Sequence, residues 1–543
     1  MQVELVLLIL SLLFFISIFA DKIGYRFGVP ALLLFLIVGM LFGPHGIGAL
    51  FDDPSGIVIK TSTASALSTL AMCIILFSGG MDTKLSDIKS VLAPGITLAT
   101  LGVLITCAVT GVLIYYIFGW IQAVTSVSIW FALLMAATMS STDSASVFSI
   151  LRTNGIGLKH DLRPLLELES GANDPMAYVL TTTLIGIVLK LQAFTGLVEP
   201  VETLPIVQTI VIQLVMGTVI GLAFGLGLVA LMRRVKLGNE ALYPVMVLTA
   251  CIFIFSITYY LQGNTYLAVY VGGLVIGNNK FTRKRQTKSF FNGLTWLSQL
   301  MMFLMLGLMV APRDLVDYHV WLPCLIISIV MIFISRPLSV WLCMMPFRRY
   351  RQRDKIMLSW VGLKGAVPII FAIMCKANGI PYADLIFNVV FLCTIVSLLI
   401  QGTTLTTMAK KLALDTPGRE SRSLEHFDLD LPDEIQSSAR EVEVTDHLLS
   451  KGNTPREIDL PPHTLIVMVR RGEDFFVPTG SSELQAGDQL LVISDTDAEA
   501  TYKQMTNEAE EDALWRAQMR EKIRKRLSRL FQRKRKEKDI PQA

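Results

Sequence analysis

The chain has 543 residues, 52% hydrophobic and 17% charged, with a formal net charge of +4. Its mean hydropathy is +0.56. These values exclude an ordinary soluble enzyme and fit a polytopic membrane protein with a polar appendage, because the apolar character stops near Leu412.

A window of about 20 residues, the length that crosses the hydrocarbon core, finds about thirteen spans. The expected bounds are 3–20, 29–46, 64–80, 93–118, 125–149, 165–190, 205–232, 241–261, 264–278, 291–310, 319–343, 356–375 and 383–408. No basic region precedes the first span and no small-residue cleavage site precedes Asp21, so it is expected to be retained. The odd-numbered connections hold about twenty Lys and Arg, Arg233, Arg234, Arg283 and Arg285 among them, by the count that the positive-inside rule uses. The even-numbered connections hold only Lys60, Lys190, Arg313 and Lys376. That alternation predicts an odd number of spans, an outside N-terminus and a cytoplasmic C-terminal segment. The cysteines at 73, 107, 251, 324, 343, 375 and 393 stand singly in apolar stretches and read as small buried residues.

Gly39-Met40-Leu41-Phe42-Gly43 in span 2 is similar to Gly273-Leu274-Val275-Ile276-Gly277 in span 9. Gly80-Met81 after span 3 is similar to Gly307-Leu308 after span 10. Both matches lie seven spans apart, an offset that inverts the second copy, as in secondary transporters built from inverted repeats.

Two spans carry polar breaks at corresponding places. Span 5 contains Ser140-Ser141-Thr142-Asp143-Ser144-Ala145-Ser146, and span 12 contains Gly362-Leu363-Lys364-Gly365-Ala366-Val367-Pro368. Ser, Thr and Asp side chains compete for backbone groups, and irregular backbone at membrane depth survives only inside protein or along a cavity. Paired interruptions of this kind point to a transporter's binding site. Span 6 opens with Glu169-Ser170-Gly171-Ala172-Asn173-Asp174. A carboxylate inside a bilayer is costly and is a functional-site hypothesis by default. Span 11 contributes Arg336, whose nearest counter-charge is Glu169, so the two are expected to form a structural ion pair. Lys364 is expected to compensate Asp143 or the exposed carbonyls of the broken span 5. Asp174 is then left to titrate, with Thr142, Asp143, Ser170 and Asn173 offering the oxygen ligands that hard cations prefer.

With these motifs the chain resembles the NhaP-type monovalent cation:proton antiporters of the cation:proton antiporter-1 group, over residues 3–412. The resemblance rests on Thr142-Asp143 in a broken helix, Glu169-Ser170 with Asn173-Asp174, Arg336, and Gly362 to Val367. It implies a homodimer, a core domain moving against a dimerisation domain, and Asp174 as the exchange carboxylate. The Asn173-Asp174 pair implies electroneutral one-for-one exchange. Two residues depart from the family pattern: Lys364 stands where arginine is common, and Ser144 where proline is common. Both touch the broken helices, so ion selectivity does not carry over.

The polar, acidic stretch over 413–437 reads as a linker. Beyond it, Val442–Val444, Leu465–Val469, Phe475–Pro478 and Leu490–Ile493 read as short strands, with Leu465–Val469 continuous as in a strand buried on both faces. Gly487-Asp488 supplies a tight turn. This segment, 438–503, resembles the TrkA C-terminal (RCK-C) regulatory domain, through Pro461-Pro462, Arg470-Arg471-Gly472, Val477-Pro478 and Leu484 with Gly487-Asp488. The resemblance implies dimerisation. It leaves open whether a small regulatory ligand, such as a nucleotide, binds there or whether the domain only docks. No Gly-x-Gly-x-x-Gly follows a strand, so a nucleotide-binding Rossmann partner is not expected. Residues 504–543 read as a charged helical tail with a basic end, suited to an anionic inner leaflet, to solvent or to a dimer contact.

The expected fold is an all-α membrane domain followed by a small α+β domain. The expected activity is exchange of K+ or Na+ for protons in a bacterial inner membrane. K+ is favoured because RCK-C domains accompany potassium handling. A sodium or lithium antiporter is the close alternative, a gated channel or a degenerate sensor the remote one. No enzymatic activity, cofactor or nucleic-acid partner is expected.

Overall fold

The computed structural model describes residues 4, 8, 11–19, 31–43, 60–121, 128–154, 156–193, 203–235, 237–310, 315, 318–417, 439–444, 448–449, 452–458, 460, 464–472 and 474–494. The connection bearing Lys22 and Arg26, Arg313, most of the expected linker, the Pro461-Pro462 turn and the tail over 504–543 lie outside the described residues. The chain forms two compact units, Met1–Gly418 and Arg419–Ala543.

The first unit is helical. Its described helices are α1 (11–19), α2 (Ala31–Phe42), α3 (Thr61–Asp82), α4 (Leu85–Trp120), α5 (Ile129–Thr138), α6 (Ser144–Thr153), α7 (Leu162–Ala193) and α8 (Thr203–Arg234). They continue as α9 (Leu242–Tyr260), α10 (Thr265–Gly277), α11 (Lys284–Met309), α12 (Val320–Cys343), α13 (Gln352–Trp360), α14 (Val367–Ala377) and α15 (Ala383–Lys411). Eight of these, among the described residues, are long and apolar enough to cross a membrane. Spans 5 and 12 are each two helices, α5 with α6 and α13 with α14. Several helices outrun their apolar windows, since backbone hydrogen bonding continues past the hydrocarbon core. Lys284 and Lys288, read as part of a connection, stand in the first turns of α11. Pro368 does not break its helix. It sits in the first turn of α14, where a missing N–H costs nothing.

Close packing of small residues reveals the repeat. A Cβ on Gly39 of α2 would stand 2.8 Å from Gly307 Cα of α11, and one on Gly80 of α3 would stand 2.9 Å from Leu274 N of α10. Only glycine lets the backbones approach so nearly. An offset of seven spans relates α2 to α10 and α3 to α11, so the two contacts exchange under the inverted repeat. Five-residue π turns at Leu98–Gly102 in α4 and Met331–Ser335 in α12 fall on another related pair.

Beneath the breaks, Val147, Leu151, Ile156, Leu165, Leu358 and Leu414 form one apolar cluster. Here β1 (Ile156–Leu158) pairs antiparallel with β2 (Asp415–Pro417). Lys159 N–H extends the ladder to the Leu414 carbonyl at 3.0 Å. The start of the expected linker is therefore corrected: residues 413–417 belong to the first unit, because burial of Leu414 and a partner strand order them.

In the second unit, β3 (Ala439–Glu443), β4 (Thr464–Arg471), β5 (Asp474–Phe476) and β6 (Gln489–Ser494) form one antiparallel sheet in the order β3-β6-β4-β5. The strand buried along its length is β6, with Leu490, Leu491 and Val492 at 0–2% exposure, not β4, where Leu465 is 66% exposed. A register shift between Ile466 and Met468 lets Ile466 and Val469, three apart, both face the core. Gly487 makes its turn at φ +94°, a conformation that favours glycine.

Candidate functional site

The two breaks meet. Asp143 N–H donates to the Leu363 carbonyl at 2.8 Å. Lys364 Nζ donates to the Ser141 carbonyl at 2.8 Å. A Cβ on Gly365 would stand 2.7 Å from Asp143 Cβ, so the crossing requires glycine there. α5 and α13 end at the crossing with their carbonyls, while α6 and α14 begin there with their N–H groups. Asp143 caps α6, its carboxylate accepting from Ser146 N at 3.1 Å and Ser146 Oγ at 2.5 Å. Of the two roles expected for Lys364, the structure shows the carbonyl contact.

α7 lies against this crossing. Ser170 Oγ donates to the Thr142 carbonyl at 2.9 Å and accepts from Ser144 N–H at 3.1 Å. Asn173 Nδ2 donates to Thr142 Oγ1 at 2.5 Å, while Asn173 Oδ1 has no hydrogen-bond partner among the described residues. Ser141 Oγ donates to Asp174 Oδ1. Asp174 is 7% exposed, Asn173 0%, Thr142 5% and Ser141 1%. The structure thus brings Thr142, Asp143, Ser170, Asn173 and Asp174 into one cluster, in which all but the half-buried Asp143 are buried.

Arg336 Nη2 lies 2.5 Å from Glu169 Oε1, and both side chains are buried. The contact is ionic, since neither Glu169 oxygen meets hydrogen-bond geometry. A Cβ on Gly362 would stand 3.0 Å from Arg336 Nε, so the arginine threads past the break of span 12 to reach α7. Burying both charges is tolerable because they neutralise each other.

Two further residues shape the site. Ser141 is the direct partner of Asp174, yet it is one hydroxyl in a run of several and no spacing singles it out. Asn264 caps α10 by accepting from Leu267 N–H at 3.0 Å, and its Nδ2 donates to the Pro175 carbonyl at 2.8 Å. It supports α7 beside Asp174, where Pro175 removes a backbone donor. The arrangement offers a buried carboxylate, Asp174, with no salt-bridge partner among the described residues, beside a second carboxylate, Asp143, that caps α6; hydroxyls and an amide line them at the meeting of four helix ends. That chemistry suits a proton or a monovalent cation.

Residues 8–411 match the family described as sodium/hydrogen exchanger, transmembrane, and residues 440–506 match the TrkA-C domain. The chain is 39% identical to the K(+)/H(+) antiporter NhaP of Alkalimonas amylolytica, over 90% of this chain and 81% of that protein. It is 38% identical to the K(+)/H(+) antiporter NhaP2 of Shewanella sp. (strain ANA-3), over 90% of this chain and 80% of that protein. The fold is similar to that of the sodium proton antiporter MjNhaP1 from Methanocaldococcus jannaschii at pH 8, with TM-score 0.63 and 21% identity. That likeness covers 76% of this chain and 99% of that one.

Proposed function

Since the chain belongs to the transmembrane sodium/hydrogen exchanger family, we propose that it exchanges a monovalent cation, K+ in preference to Na+, for protons, one for one. The observation that carries this reading is Asp174, a buried carboxylate with no salt-bridge partner among the described residues, held by the Ser141 hydroxyl at the crossing of two broken helices. Glu169 is neutralised by Arg336. The residue beside Asp174 is the neutral Asn173. One carboxylate then alternates between a proton and a monovalent cation, two loads of equal charge, so a full cycle moves no net charge. Thr142, Asp143, Ser170 and Asn173 set the geometry and oxygen field around it. Lys364 quiets a carbonyl of the break. K+ takes precedence because the relatives matched over most of their length are named for K+ and because a TrkA-C domain follows.

The same reading places the protein as a homodimer in a bacterial inner membrane, N-terminus outside and C-terminal unit in the cytoplasm, as the charge alternation supports. The TrkA-C domain is read as a regulatory module, with nucleotides the first ligand class to assay.

The test is proton flux in everted membrane vesicles challenged with chlorides of K+, Na+, Rb+ and Li+. The reading expects K+ to collapse a preformed proton gradient, and Asp174→Asn to abolish the response without loss of protein from the membrane. No response to any cation from mildly acidic to alkaline pH overturns it.

A further inference from the structure

Between α13 and α14 the regular helical hydrogen bonding lapses, and α15 supplies further partners. Ser397 Oγ accepts from Lys364 N–H at 3.0 Å and donates to Gln401 Oε1 at 2.6 Å. Gln401 Nε2 donates to the Trp360 carbonyl at 2.9 Å, at the C-terminal end of α13 where carbonyls lack intrahelical partners. The Trp360 indole N–H donates to Thr404 Oγ1 at 3.1 Å. Ser397 and Gln401 are each 1% exposed, and Gln401 lies in the π turn Leu398–Gly402. Such turns mark functional sites more often than chance allows.

We propose that Ser397 and Gln401 are positioning residues for the exchange site. They fix the α13 end and the middle of the α13–α14 break, so that Lys364 Nζ holds the Ser141 carbonyl and the Ser141 hydroxyl stays on Asp174. The path is continuous: Gln401 to Ser397, Ser397 to the Lys364 backbone, Lys364 Nζ to Ser141, and Ser141 to Asp174. A lysine side chain is flexible, and its amine is placed only as well as its backbone is. A binding constellation needs its groups held to about 0.5 Å, which a supporting shell provides. The inference rests on the reading of Asp174 as the exchange carboxylate.

The test uses the full-length protein in vesicles, with the apparent KM for K+ and the pH profile of exchange measured per amount of membrane-inserted protein. Ser397→Ala and Gln401→Leu are expected to raise KM about fivefold, the worth of one hydrogen bond, and to move the pH midpoint. Ser397→Thr, which keeps the hydroxyl, is expected to stay near wild type. Leu399→Ala is the control, since Leu399 lies in the same π turn but is 46% exposed. Wild-type KM and pH profile in both Ser397→Ala and Gln401→Leu, even at reduced protein levels, overturn the inference. If Gln401→Leu does not accumulate, Ser397→Ala decides alone, since it removes a single oxygen. A wild-type protein that exchanges no cation overturns the functional reading and this inference with it.

Discussion

Arg336 and Glu169 show what a buried charge pair does for this molecule. Removing one partner leaves an uncompensated charge, which in buried pairs costs about 3–5 kcal/mol. Arg336→Met is therefore expected to deplete folded protein from the membrane. Arg336→Met combined with Glu169→Gln is expected to restore much of it, read as detergent-resistant monodisperse protein by size exclusion. A double variant no better than the single one contradicts the pairing. In the second unit, Asp488 is 2% exposed and receives Arg471 Nε at 2.8 Å and Nη2 at 2.7 Å. Burial alone would push its carboxyl up, but hydrogen bonds from Arg471 and the Gln485 N–H, with the Arg471 charge, outweigh it and hold the pKa below the ordinary value. The pair's contribution to stability is then whole above about pH 4 and is lost as pH falls through the folded-state value. Asp488→Asn is expected to weaken hydrogen-exchange protection of β6 in the full chain at neutral pH and to flatten its acid dependence. Unchanged protection contradicts that role. Asp174, Glu169 and Arg336 were legible in the sequence because charge within an apolar run is conspicuous. Ser141 and Asn264 were not, since hydroxyls and amides are common in such helices and only their partners distinguish them.

At the scale of elements, the proposed site is built from segments that decline to be regular. The breaks in spans 5 and 12 could be read from clustered Ser, Thr, Gly and Lys. The π turns in α4, α12 and α15 could not, because one extra residue per turn leaves no compositional trace. The β1–β2 ribbon escaped for a related reason: three-residue strands carry too short a pattern, and their pairing depends on residues about 260 positions apart, a contact no local propensity reports. The ribbon follows the last membrane helix and joins the segment between α6 and α7. Truncation after Gly418, which keeps β2, is expected to preserve more exchange activity per chain than truncation after Leu412, which removes β2 and the buried Leu414. Equal activity in vesicles contradicts a structural role for the ribbon. In the second unit the strands were legible but their order was not. The bulge in β4 disguised a one-faced strand as a buried one.

The whole molecule reduces to one arithmetic of charge. An inverted pair of bundles crosses two broken helices, a salt bridge removes Glu169 from the count, and an amide takes the neighbouring place. On the proposed reading a proton and a cation then contend for the same oxygen atoms of Asp174. Contention at one group has a kinetic signature that separate sites lack. The direct measurement is the apparent KM for K+ in proteoliposomes as a function of pH. On the acid side of the midpoint it is predicted to rise about tenfold for each unit of pH, as protons occupy the carboxylate that K+ requires. A KM for K+ that stays constant across that range, while exchange persists, would contradict the account.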